Sequence, residues 1–165
     1  MELSTTAETE PLSRILERSG IFLDVAGDNM ESVVSEALLR LSLPDNVDSR
    51  RVMSAILDRE AMAPTVIGEG LAIPHCRHES LSALAGPLVS LNMPVRPLSC
   101  WGSHMQVVKA FFLVLCPDAT SHLRVLSALS PLIREKGFLE LIRQKPPVSE
   151  FLAFTRKHEE KSVRK

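Results

Sequence analysis

The residues of this 165-residue chain best suited to chemistry are its five histidines, His75, His78, His104, His122 and His158. A neutral imidazole has a reference pKa of about 6.5 and keeps a nitrogen lone pair near neutral pH, so it can serve as nucleophile, proton carrier or metal ligand. His75 has the most distinctive setting. It closes the short apolar piece Leu71-Ala72-Ile73 and follows Pro74, whose ring restricts the backbone and helps fix the imidazole at a sheet edge. Strand ends are where α/β proteins commonly bind ligands. His122 falls in the first turn of a helix expected from Thr120, where exposed N–H groups and the helix dipole favour an anion. His158 lies among charges near the C-terminus and reads as solvated.

Other chemistries fit less well. His75, Cys76 and His78 sit close together, but zinc prefers more regular ligand spacing, and a helix N-terminus attracts anions rather than cations. No metal and no cofactor are expected. A Cys-His hydrolase built on Cys76 would need an orienting acid and an oxyanion site, and no local motif supplies either. A phosphate-binding P-loop is absent, which excludes an ATP-using kinase of that type.

These side chains must be positioned by the surrounding elements. Leu12, Ile15 and Leu16 predict a short helix before Gly20. Asp28 with Glu31 resembles a capping box that opens a helix with the stripe Val33, Val34, Ala37, Leu38 and Leu41. A second helix starts near Asp48, buries Val52, Met53, Ile56 and Leu57, and must end before Pro64. Thr65 to Ile67 and Leu71 to Ile73 read as short strands joined by the tight turn Gly68-Glu69-Gly70. Leu88 to Val95 and Val107 to Cys116 are further strands, the second apolar enough to be covered on both faces. Helical spacing returns from Thr120, with Gly137 as a break, a short helix from Phe138 to Arg143, and a last amphipathic segment from Val148 to Phe154.

The pattern predicts a single-domain layered α/β fold, with a mixed β-sheet flanked by helices on both faces. A flexible arm is expected over residues 1–11, the domain over 12–155 and a charged tail over 156–165. Hydrophobic residues make up 45% of the chain, enough for one core, and aromatics only 4%, so that core must be mainly aliphatic. Net charge is −1, which lacks the basic surplus that phosphate contacts to nucleic acid demand. The longest apolar run, Ala110 to Cys116, is too short to span a bilayer. The N-terminus lacks the features of a signal peptide, and the three cysteines, Cys76, Cys100 and Cys116, show no paired spacing. A reducing, cytoplasmic setting is expected.

The run from Leu57 through Asp58-Arg59-Glu60 to Thr65-Val66-Ile67-Gly68-Glu69-Gly70-Leu71-Ala72-Ile73-Pro74-His75 resembles the signature of type-2 EIIA domains. These are the fructose/mannitol-type and nitrogen-regulatory phosphocarriers of the bacterial phosphotransferase system. The resemblance extends to Pro117 and Ser121-His122-Leu123, where the family carries a second histidine, and covers roughly Leu12 to Phe154. It implies that His75 accepts a phosphoryl group, with Arg59 and His122 compensating charge on the phosphate oxygens and the backbone at Cys76 donating a further bond. Glu60, the other half of the Arg-Glu pair, would orient Arg59.

The implied partners are the phosphocarrier HPr or its nitrogen-branch counterpart, and beyond it an EIIB protein or a regulated transporter or kinase. The chain would then be a phosphohistidine carrier, a transferase component. The alternative is a regulatory binding module whose docking is switched by phosphate on His75. Two departures stand out. Cys76 replaces a usually smaller residue and introduces a thiol open to oxidation, and the loop Cys100-Trp101-Gly102-Ser103-His104 is where partner choice could differ.

Overall fold

The structure is a computed structural model that describes residues 9–165. Leu12, Ile15 and Leu16 recur at helical spacing and are buried on one side of helix α1 (Leu12–Ser19). Gly20, at φ 111°, ends it and turns the chain directly into strand β1 (Ile21–Val25). Sequence reasoning assigns no element to β1, because five residues between two glycines carry too little periodicity. Helix α2 (Met30–Arg40) is capped one residue later than expected. Asn29, not Asp28, accepts the Ser32 N–H at 2.9 Å, while the Ser32 hydroxyl accepts from the Asn29 N–H at 3.2 Å. Helix α3 (Ser49–Met62) starts at the Asp48 cap as predicted and stops before Pro64.

Strands β2 (Val66–Gly68) and β3 (Leu71–Ala72) form a hairpin. Its two turn residues, Glu69 and Gly70, both have positive φ (53° and 76°), as a two-residue turn between right-twisted strands requires. Strands β4 (Leu88–Pro94) and β5 (Ala110–Leu115) are longer and almost wholly buried. Among the described residues the five strands lie in the order β1-β4-β5-β3-β2. β1–β4 and β3–β5 pair in parallel, whereas β4–β5 and β2–β3 pair antiparallel, so the sheet is mixed.

Alternation along the strands divides the core into two faces. Val89, Leu91 and Met93 of β4 with Phe112 and Val114 of β5 face α1 and the C-terminal helices α4 (Ala119–Leu132), α5 (Lys136–Gln144) and α6 (Val148–Val163). Phe111, Leu113 and Leu115 face α2 and α3. The expected layers are therefore present, with six α-helices among the described residues around a five-stranded mixed sheet.

Two expectations at the C-terminal end are corrected. Gly137 is not a break but lies inside the first turn of α5, where a Cβ would stand 2.7 Å from the Phe154 ring, so its small size admits α6. Residues 156–163, expected as tail, continue α6. They are held because the Glu159 carboxylate accepts the Ser13 N–H at 2.9 Å and the Ser13 hydroxyl at 2.6 Å. This bond supplies the N-terminus of α1 with the cap that Pro11 cannot provide. His158 is 13% exposed in its side chain and sits 3.2 Å from a Glu135 oxygen, not freely solvated. Most of the arm expected over residues 1–11 lies outside the described residues. Among the described residues no helix is long and apolar enough to cross a membrane.

Candidate functional site

The C-terminal end of β3 continues through Ile73 and Pro74 to His75, which forms a parallel bridge with Val114 of β5. The Val114 N–H donates to the Pro74 carbonyl at 3.1 Å, so β5 fixes the backbone on one side of the histidine. On the other side the Ile73 N–H donates to the Thr65 carbonyl at 3.0 Å. Proline supplies no competing N–H between these two restraints. His75 is thus pinned at a sheet end with its imidazole half-buried.

The imidazole itself is oriented by its own strand. His75 Nδ1 lies 2.8 Å from the Ile73 carbonyl oxygen. A carbonyl can only accept, so Nδ1 carries the proton, and in the neutral ring the lone pair resides on Nε2. The local fold therefore selects the tautomer whose lone pair is on Nε2.

His122 approaches from the first turn of α4, and the two imidazole centroids are 5.0 Å apart with ring planes at 44°. The helix begins one residue before the expected Thr120, because Asp118 is its cap and accepts the Ser121 N–H at 2.8 Å. A carboxylate thus already meets the positive end of the α4 dipole. The expected attraction of a phosphate by that dipole is correspondingly weakened, and the imidazole of His122 is the group this helix offers. Ser121 and Val125 of the same helix turn toward α1 and α6.

Arg59 lies in the last turn of α3, half-buried, and donates from Nη1 to the Ala63 carbonyl at 2.9 Å. It enters no ion pair among the described residues. Two residues beyond Ala63, the chain reaches Thr65 and its bond to Ile73, so the end of α3 and the His75 segment share one edge of the sheet. Glu60 does not orient Arg59. It is 6% exposed, and its two carboxylate oxygens accept the Thr65 N–H at 3.0 Å and the Thr65 hydroxyl. The sequence held a signal for this: Val52, Ile56 and Glu60 recur at intervals of four, which puts the carboxylate on the buried stripe.

Cys76 is 5% exposed. Burial, with a smaller effect from the neighbouring Cys116, pushes its thiol up to about 12, and burial raises Cys116 to about 11 despite a hydrogen bond from Ser121. A protonated, covered thiol is a poor nucleophile, so the oxidation considered for Cys76 has no support in this environment. Both folded-state values lie above the ordinary thiol value of 9.0. The folded chain therefore keeps protons that the unfolded chain loses, and their stabilisation is full below about pH 9 and declines as pH rises through the folded values. We expect urea midpoints to fall between about pH 8 and about pH 10.5, and Cys76→Ala with Cys116→Ala to flatten that decline. Equal midpoints in the parent chain would refute it.

The Cys100–His104 loop is far from this site. It precedes the start of β5, where Ala110 pairs with Leu71, while His75 pairs four residues further along at Val114. Trp101 is buried against Phe111 (5.4 Å between rings) and pairs with His104, so the loop is anchored from within. Among the described residues no cluster of three or more His, Cys, Asp or Glu could hold a metal ion.

Residues 14–157 match the family model described as phosphoenolpyruvate-dependent sugar phosphotransferase system, EIIA 2. The chain is 33% identical to the nitrogen regulatory protein of Escherichia coli K12 over 135 residues, covering 80% of this chain and 78% of that one. The crystal structure of nitrogen regulatory protein IIA-Ntr from Neisseria meningitidis superposes with a TM-score of 0.73 at 27% identity, covering 87% of this chain and 97% of that one. Enzyme IIA of the mannitol system of Escherichia coli, solved in complex with phosphorylated enzyme IIB, shares the fold with a TM-score of 0.66 at 18% identity, over 85% of this chain and 95% of that one.

Proposed function

The chain belongs to the EIIA type 2 family of the phosphoenolpyruvate-dependent sugar phosphotransferase system, and on that premise we propose that it carries a phosphoryl group on Nε2 of His75. The observation that supports this most directly is the 2.8 Å contact from His75 Nδ1 to the Ile73 carbonyl, which leaves the lone pair on Nε2. In the transfer, Nε2 attacks phosphorus in line, the bond to the donor's nitrogen breaks, and that nitrogen keeps the electron pair. Nδ1 keeps its proton throughout, and the Ile73 carbonyl stabilises the positive charge the ring acquires.

The phosphoryl group brings about −1.5 to −2 units of charge near neutral pH. Arg59 and His122 are the residues proposed to meet it, the guanidinium by charge-assisted hydrogen bonds and the imidazole from across the 5.0 Å gap. Cys76 contributes at most through its backbone, since its side chain is buried. The proposed donor is HPr or its nitrogen-branch counterpart, and the proposed setting is the cytoplasm, where these donors act.

The likeness to nitrogen regulatory proteins favours a second reading of the step after phosphorylation. Phosphate on His75 would then switch docking to a regulated transporter or kinase rather than pass to a sugar-specific EIIB protein. Incubation with phosphoenolpyruvate, enzyme I and HPr, or with their nitrogen-branch counterparts, should give an acid-labile label. Rapid discharge to an added EIIB supports the carrier reading, and retention supports the regulator.

Arg59→Ala should slow acceptance by about 10- to 100-fold while the thermal midpoint moves little, because Arg59 makes one bond to its own helix end. Quenched-flow labelling measures this. Acceptance at the parent rate would remove Arg59 from the site.

A further inference from the structure

We propose that Glu60 is a positioning residue for His75, acting through Thr65 and Ile73, in place of a role beside Arg59. The proposal rests on the reading of His75 as phosphoryl acceptor. Four bonds form a continuous path from helix α3 to the imidazole. The Glu60 carboxylate accepts both the Thr65 N–H, at 3.0 Å, and the Thr65 hydroxyl. The Thr65 carbonyl accepts the Ile73 N–H at 3.0 Å, and the Ile73 carbonyl accepts the His75 Nδ1–H at 2.8 Å.

Glu60, Thr65 and Ile73 are 6%, 7% and 8% exposed, so water competes little for any of these groups. A carboxylate this buried is retained in a fold only where its oxygens are satisfied, and here the N–H and hydroxyl of Thr65 satisfy one oxygen each. The path acts by position rather than by relayed polarisation. At Thr65 and at Ile73 the accepting carbonyl belongs to the peptide that follows the donating N–H, and the two planes share only a Cα. Holding each N–H fixes its own peptide plane and so narrows the φ and ψ at the shared Cα that orient the next carbonyl. Since the Ile73 carbonyl selects the Nδ1–H tautomer, its direction decides whether Nε2 presents a lone pair or a proton. The Val114 bond to the Pro74 carbonyl restrains the same segment independently, so loss of Glu60 should loosen the tautomer rather than abolish it.

The test uses the full chain and two readouts: the ¹⁵N resonances of the His75 ring, which report the tautomer, and the rate of phosphoryl acceptance. In the parent chain the ring should be protonated at Nδ1. Glu60→Ala should shift it toward a mixture with the Nε2–H form and slow acceptance by about 2- to 10-fold. Glu60→Gln should largely rescue both, because its amide oxygen can accept the Thr65 N–H while its NH₂ donates to the Thr65 hydroxyl oxygen. An unchanged tautomer in Glu60→Ala, whatever the rate, would overturn the proposal, as would a Glu60→Gln chain as impaired as the alanine variant. If Glu60→Ala does not fold, Thr65→Val keeps the amide bond and removes the hydroxyl bond alone. A smaller shift in the same direction supports the proposal, and none overturns it. A parent chain that takes no phosphoryl group, yet whose tautomer answers to Glu60, would support the positioning role and remove the acceptor reading.

Discussion

His75→Ala should take up no acid-labile phosphoryl group under conditions that label the parent chain to completion. The effect is expected to be total because the side chain is the proposed covalent acceptor, and a cavity cannot be phosphorylated. Stability should hardly change. The imidazole is half-buried and hydrogen-bonded to the Ile73 carbonyl, and removing such a contact costs on the order of 1 kcal/mol. The variant therefore separates chemistry from folding in a way that a core substitution cannot. His122 provides the internal control, since its ring lies only 5.0 Å away and is itself a nucleophile. If label moved to His122 in the variant, the geometric case for His75 Nε2 would fail. Persistent label at any other position would falsify the acceptor assignment outright. Phosphoramidate hydrolyses in acid and survives base, so the two treatments distinguish it from a phosphoserine.

Phe138→Ala should produce the largest loss of stability, about 3–5 kcal/mol. Phe138 is fully buried on the face of the sheet covered by the C-terminal helices. Its ring packs 6.1 Å from Phe112 of β5, 6.1 Å from Phe151 and 5.9 Å from Phe154, the last two on α6. One side chain thus joins the central strand, α5 and α6. Truncation leaves a cavity whose walls belong to three elements, and they cannot all move inward without breaking other contacts. In a chain of this size the thermal midpoint should fall by about 10 °C. Phe138→Leu, which retains most of the volume, should cost about 1–1.5 kcal/mol. Equal effects from the two variants in urea titration would show that ring packing is not what holds α5 in place. Because the site lies at the end of the sheet, surviving folded Phe138→Ala chains should still accept phosphate.

Much of this protein was legible from its residues. Val107 to Cys116 contains almost only apolar side chains, and β5 lies at the centre of the sheet, buried on both faces. The glycines around Glu69 mark a two-residue turn because glycine tolerates positive φ, and the hairpin forms there. Both signals are local: each depends on the side chain's own bulk or polarity. For the same reason the run ending in His75 marked a strand end. Elements without strong periodicity were not legible. β1 is recognisable only by its parallel pairing with β4, seventy residues away, as in Ile21 with Leu91. Residues 156–163 look like a charged tail until Glu159 is seen to cap α1 across 146 positions.

The candidate site divides along the same line. Sequence alone determined the types of its residues and that His75 ends a strand, since both follow from composition and local steric restriction. It also located His122 at a helix start, because helical spacing of apolar residues resumes from Thr120. Only the tertiary structure decided that the two rings stand 5.0 Å apart. It also decided that Glu60 serves Thr65 rather than its neighbour Arg59. The packing of whole elements sets both. Hydrogen-bond partners of buried polar groups are chosen by the packing of whole elements, and adjacency in the chain says little about which donor will be within reach when water is excluded.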